Sequence, residues 1–164
     1  MNFRLASEND INEICLLIES AIQEMEKHEI FQWDNVYPTE SDFLKDIEKD
    51  NLFVGEEDDN ISVVYAINKD YDEQYSNGKW MYPESDFRII HRLCVNPAYQ
   101  NKGVAKRTLE HIESSLRDNG VESIRLDVFT ENPFALSLYR KCGYDEVGTT
   151  QWRKGKFLLM EKKL

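Results

Sequence analysis

In the stretch Leu93-Cys94-Val95-Asn96-Pro97-Ala98-Tyr99-Gln100-Asn101-Lys102-Gly103-Val104-Ala105-Lys106-Arg107, a buried-type strand ends, a tight polar loop follows and a helix begins. The strand reads from Phe87 to Val95, and Asn96-Pro97 stops it. The helix opens near Gly103 or Val104 and runs to about Asn119, with Gly120 just past its end. The first N–H groups of a helix have no partner within it and stand at the positive end of its dipole, so they attract an anion. Gly103 lets a ligand approach the backbone with no Cβ in the way, and Ala105 keeps the first turn open. Residues 100–107 carry the cations Lys102, Lys106 and Arg107 and no acid, in a chain of net charge −11. That local reversal of sign points to a phosphate or pyrophosphate. Taken alone, the loop also reads as an ordinary strand–turn–helix with solvated lysines.

Working outward, Asn2 to Ala6 reads as a strand. Apolar residues then recur at three- and four-residue steps from Ile11 to Met25, with Ser7 as N-cap and Asp10 three residues on. Residues 27–38 break that pattern with Phe31-Gln32-Trp33 and Tyr37-Pro38, an aromatic loop. Thr39 caps a shorter helix through about Asp50 that turns Phe43, Leu44 and Ile47 inward. Leu52–Gly55 and Ile61–Asn68 read as strands around the acidic turn 56–60. The polar stretch from Lys69 to Asp86 holds Tyr71, Tyr75, Trp80 and Tyr82, and a loop that long is expected to be functional or mobile. Downstream come a strand over Val121–Phe129, a helix opened by Pro133 at its first position, and two strands around Arg153-Lys154-Gly155. The order β-α-α-β-β-β-α-β-α-β-β predicts a mixed α/β (α+β type) fold, with helices on both faces of the sheet.

Length and composition bound the function classes. The 164 residues suit one domain, 1–164, with a core that needs neither disulfides nor metal. Excess acid repels phosphate backbones and anionic lipid, which argues against a nucleic-acid or membrane partner. The longest unbroken apolar run, Ile14 to Ile18, is far short of a membrane span, and no secretory signal is visible. Three widely spaced cysteines, Cys15, Cys94 and Cys142, fit neither a disulfide framework nor a zinc site, so a reducing cytoplasm is expected.

The loop has no Walker A pattern and only one glycine, so it is neither a P-loop nor a dinucleotide fingerprint. Gln100-x-x-Gly103-x-Ala105, after a strand ending Val95-x-Pro97, resembles the acyl-CoA-binding motif of the GNAT acetyltransferase superfamily, Gln/Arg-x-x-Gly-x-Gly/Ala. Val128-Phe129-Thr130-Glu131-Asn132-Pro133-Phe134-Ala135, leading into Leu138-Tyr139-Arg140-Lys141-Cys142-Gly143-Tyr144, resembles that family's second CoA segment. The element order matches from end to end. The resemblance implies a twisted, mostly antiparallel sheet of about seven strands. It also implies acetyl-CoA as co-substrate, with no metal. The pantetheine arm is then expected to pair with backbone around Leu93, Cys94 and Val95, and the pyrophosphate to sit on the loop and helix start, Gln100, Asn101, Lys102, Gly103, Val104, Ala105 and Lys106. The acetyl carbonyl is expected near the Val95 N–H, which would stabilise a developing oxyanion. Asn132 is expected to contact the cofactor arm. Tyr139 is expected to lie near the sulfur, where it donates a proton or a hydrogen bond to the leaving thiolate.

Direct transfer needs a neutral amine, so a base or a water relay is useful. Period two on the strand places His91 on the Val95 face, and its ordinary pKa suits that task; a structural histidine is the other reading. Glu24 and Glu29 are alternatives. The acceptor pocket is expected from Phe31, Trp33, Tyr37 and Trp80, with Gln32, Tyr75 and Tyr82 nearby. Residues 40–60 carry nine acids and two lysines, a field that suits a polyamine, an aminoglycoside-like amine or a basic peptide end, or serves solubility. The sequence thus predicts an N-acetyltransferase acting on a primary amine of a small molecule or peptide, and the resemblance implies a homodimer through the last two strands as one arrangement open to it. A non-catalytic acyl-CoA-binding regulatory module is the competing reading.

Overall fold

A computed structural model describes residues 1–164. The strands are β1 (Asn2–Leu5), β2 (Leu52–Glu57), β3 (Asn60–Asn68), β4 (Phe87–Val95), β5 (Ser123–Phe129), β6 (Asp145–Trp152) and β7 (Gly155–Lys163). The helices are α1 (Ile11–Lys27), α2 (Glu40–Glu48), α3 (Val104–Asp118) and α4 (Pro133–Lys141). The sheet is seven-stranded, in the order β1-β2-β3-β4-β5-β7-β6. β4 and β5 pair in parallel, whereas β1/β2, β2/β3, β5/β7 and β6/β7 are antiparallel. The mixed architecture is the one expected from the element order, and the seven strands with mostly antiparallel pairing are what the resemblance implied.

The chain divides into two compact units: residues 1–67 with 92–108, and residues 68–91 with 109–164. In the first unit, the three- and four-residue steps of α1 gather Ile14, Leu17, Ile18 and Ala21 on one stripe. That stripe packs with Phe43 of α2, Leu52 and Val54 of β2, and Ile61, Val64 and Ala66 of β3. Alternation sends Tyr65 the other way, where it stacks on Phe53 at 5.5 Å and meets the edge of Phe3 at 6.4 Å. A Cβ at Gly55 would come within 2.7 Å of Val63, so glycine is required there by close packing. The β2–β3 connection is tighter than the five-residue turn expected. Asp58 and Asp59 both adopt left-handed φ, which matches the twist of a two-residue hairpin.

In the second unit, the long stretch before β4 is an irregular segment, as expected, and part of it packs into the core. It contains a 3-10 turn, Glu73–Asn77, and Tyr75 is buried with Ile89, Val147 and Leu159. Lys79 N–H donates to the Val147 carbonyl at 2.7 Å, and Met81 N–H to Glu161 at 2.6 Å. Arg125 donates to the Tyr82 carbonyl at 3.1 Å. Composition alone suggested a loop because its apolar residues are aromatics spread among polar ones. Of those aromatics Tyr75 is core and Trp80 packs against it half-buried, whereas Tyr71 is 58% exposed.

Candidate active site

In the first unit, Asn96 sets the course of the chain after β4. Its Oδ1 accepts from Ala98 N–H at 3.0 Å and its Nδ2 donates to the Ile61 carbonyl at 3.2 Å, fixing a 3-10 turn over Pro97–Tyr99. Asn101 (φ 60) and Gly103 (φ 75) then take the left-handed conformation. The first bond of α3 runs from Arg107 N–H to the Gly103 carbonyl, 3.1 Å. Helix geometry therefore leaves the N–H groups of Gly103, Val104 and Ala105 without acceptors inside the helix. No acid stands in that first turn.

Arg107, read from sequence as one of three cations for a phosphate, braces the loop instead. It donates to the Lys102 carbonyl at 2.7 Å and pairs with Glu57. The Lys102 ammonium bonds the Ala98 carbonyl at 3.0 Å and lies 5.1 Å from the Tyr99 ring centre. The loop's shape is thus held by its own side chains, and backbone N–H groups are the donors it can offer an anion. Cys94 is buried among the apolar residues of α1, β2 and β3, and burial pushes its thiol up to about 12. It offers a ligand only its backbone. Arg92 sits at φ 51, so the alternation assumed from His91 to Val95 is interrupted by a left-handed residue.

In the second unit, Asn132 caps α4, accepting from Ala135 N–H at 3.1 Å with Pro133 at the first helical position. Tyr139 is buried and meets the Tyr144 ring edge-on at 5.6 Å. Burial first, with Asp127 and Cys142 adding, raises its pKa well above that of a free phenol. Tyr139 is therefore a neutral hydrogen-bond donor throughout the physiological range. His91 Nε2 lies 2.9 Å from Asn68 Oδ1. Sequence reasoning passed over Asp127. It is half-buried on β5, accepts from the Tyr75 hydroxyl at 2.7 Å, and its charge reaches Tyr139. One acid among 31 carries no sequence signal; only strand register brings it to these tyrosines.

The four acceptor candidates fall in different settings. Phe31 is 54% exposed, Trp33 is packed against the first unit's core, and the Tyr37 hydroxyl accepts from Arg92 at 3.0 Å. Trp80 belongs to the second unit, where its ring is already engaged by Tyr75 at 5.5 Å and by the Arg125 guanidinium at 4.5 Å.

Comparison with known proteins bears on this arrangement. The chain is 33% identical over 61 residues to the [Ribosomal protein bS18]-alanine N-acetyltransferase of Escherichia coli, a match covering 37% of this chain and 41% of that relative. It is 41% identical over 59 residues to the N-alpha-acetyltransferase RimI of Mycobacterium tuberculosis, covering 36% of this chain and 35% of the relative. The chain thus spans less than half the length of these curated relatives. The crystal structure of a GNAT-family acetyltransferase from Streptococcus agalactiae superposes with a TM-score of 0.87 at 26% identity, over 99% of this chain and 95% of that one. A sequence model of the Acetyltransferase (GNAT) family matches residues 19–144, which include the β4–α3 loop, Asn132 and Tyr139. With that match, the strand order and the left-handed loop at Gly103 in agreement, the chain belongs to the GNAT acetyltransferase family.

Proposed function

We propose that this chain, acting as one catalytic domain over residues 1–164, transfers an acetyl group from acetyl-CoA to a primary amine by direct attack. The observation that carries this reading is the β4–α3 loop. Left-handed Asn101 and Gly103 place acid-free N–H groups at the start of α3, and a diphosphate is the ligand that suits them. Bound acetyl-CoA supplies the activated acyl group as a thioester. The backbone of Leu93, Cys94 and Val95 holds its arm, with the Val95 N–H donating to the acyl carbonyl. The loop and helix start, from Gln100 to Lys106, hold the diphosphate.

Asn132 fixes the start of α4 and, with it, the placement of Tyr139. The Tyr139 phenol is too weak an acid to give up its proton outright, so it stabilises the departing sulfur by hydrogen bonding. His91 takes a proton from the acceptor's ammonium, directly or through water, and the neutral amine so formed attacks the thioester carbonyl. Asp127, a carboxylate in the same unit, is the residue to compare with it. Phe31, Trp33 and Tyr37 contact the acceptor; Trp80 serves the packing of its own unit. The names of the curated relatives support including protein N-termini among the acceptors, beside small amines. A cytoplasmic setting suits three unbridged cysteines.

The test is a thiol-release screen with acetyl-CoA against polyamines, amino acids and alanine-start peptides. Release that saturates with one of them supports the proposal. Tight CoA binding with no release across the whole panel would leave a binding module instead.

A further inference from the structure

Arg92 combines features that stability alone does not select. It is a non-glycine residue at φ 51 inside a strand, a conformation that costs on the order of 1 kcal/mol or more. Its side chain is 13% exposed and pairs with Asp46 of α2, itself 9% exposed. A buried ion pair is weak evidence for stability, because desolvation offsets much of the attraction. The buried Nε of Arg92 has no acceptor. Burial opposes the charge, yet Tyr37 and Asp46 together raise the pKa of the guanidinium above its ordinary value. The guanidinium also donates to the Tyr37 hydroxyl at 3.0 Å. All of these groups lie in the first unit.

The position explains the expense. Arg92 directly precedes Leu93, Cys94 and Val95, the backbone assigned to acetyl-CoA. Its two partners stand in the aromatic segment after α1 and on α2. We infer that Arg92, Asp46 and Tyr37 form a clamp through which occupancy of the β4 backbone by acetyl-CoA orders residues 35–48, which include the acceptor-contacting Tyr37. Arg92 is thus a positioning residue, and the inference rests on the acetyl-CoA reading above. The left-handed bend presents the strand backbone, and the guanidinium couples that bend to Tyr37 and α2.

Amide hydrogen exchange, with acetyl-CoA as the only probe, tests this without a known amine. In the unaltered chain, acetyl-CoA slows exchange in residues 93–106 and also in 35–48, each by about tenfold. The variant Arg92→Gly with Asp46→Leu keeps a residue that accepts φ 51 and leaves no unpaired buried carboxylate. It should retain slowing in 93–106 and lose it in 35–48. Tyr37→Phe, a gentler change that leaves the ion pair in place, should reduce the response of 35–48 without altering that of 93–106. Equal responses of 35–48 in the unaltered chain and the double variant, or none in the unaltered chain while 93–106 responds, overturn the clamp. No response of 93–106 in the unaltered chain overturns the acetyl-CoA reading, and the clamp with it.

Discussion

Gly103 adopts φ 75, where a β-branched side chain is strained by about 1–2 kcal/mol. A Cβ there would meet little but the Arg107 guanidinium at 3.4 Å, so the penalty of Gly103→Val is conformational and falls on the loop. The variant should keep its thermal unfolding temperature within a few degrees and lose acetyl-CoA affinity by about tenfold or more, read by calorimetry. Unchanged affinity would remove the loop assignment. Tyr139→Phe tests a different atom. Removing the hydroxyl should lower turnover with CoA affinity nearly unchanged. Because the phenol stays neutral, the alkaline limb of the pH–rate profile near pH 10 should not move. A wild-type rate would end the proposed role of Tyr139. Asp10 provides a pH prediction away from the site. Hydrogen bonding from Arg4, then from Ser7, overcomes partial burial and holds its carboxyl down at about 2. A depressed carboxylate contributes stability that is full above the unfolded value of about 3.9 and is lost as pH falls towards 2. Arg4→Met should therefore lower stability at neutral pH, read by denaturant unfolding, and its difference from the unaltered chain should shrink as pH falls towards 2.

At the scale of elements, helix ends show what was legible and what was not. All four helices close the same way: a left-handed residue, then an N–H reaching back five residues. The pairs are Ile30 to Met25, Asn51 to Asp46, Val121 to Leu116 and Tyr144 to Tyr139. Gly120 and Gly143 announce two of these ends, because glycine takes positive φ without strain. Glu29 and Asp50 occupy the same conformation with side chains that carry no such signal, so α2 was read two residues too long. The β4–α3 loop was legible because its motif, its glycine and its charge reversal coincide. The bend at Arg92 was not, because nothing distinguishes that arginine locally from the rest of a strand. The packing of Tyr75 and Trp80 within the loop over residues 69–86 was not legible for a related reason: these aromatics have no period, and their burial is set by tertiary contacts. Trp80→Ala should accordingly destabilise the fold by about 1–3 kcal/mol, less than a fully buried aromatic would cost because Trp80 is half-buried. Denaturant unfolding would show it. A stable variant with only a raised amine KM would return Trp80 to the acceptor site.

For the whole molecule, the order of strands and helices was readable because each segment's period, caps and turn residues agree with the final topology. The functional side chains were readable only where they sit in a motif. Asn132 and Tyr139 belong to one, and His91 to none; Asp127 and Arg92 gain their partners from the fold alone. On the proposed reading, the acidic balance favours cationic acceptors at long range, while the backbone of one loop binds the anionic co-substrate. That division is the central claim, and a backbone amide NMR titration with acetyl-CoA addresses it most directly. The account predicts that the largest shifts fall on the amides of Leu93, Val95 and Lys102 to Lys106, with saturation at one equivalent. Shifts centred elsewhere, or none at millimolar acetyl-CoA, would contradict it.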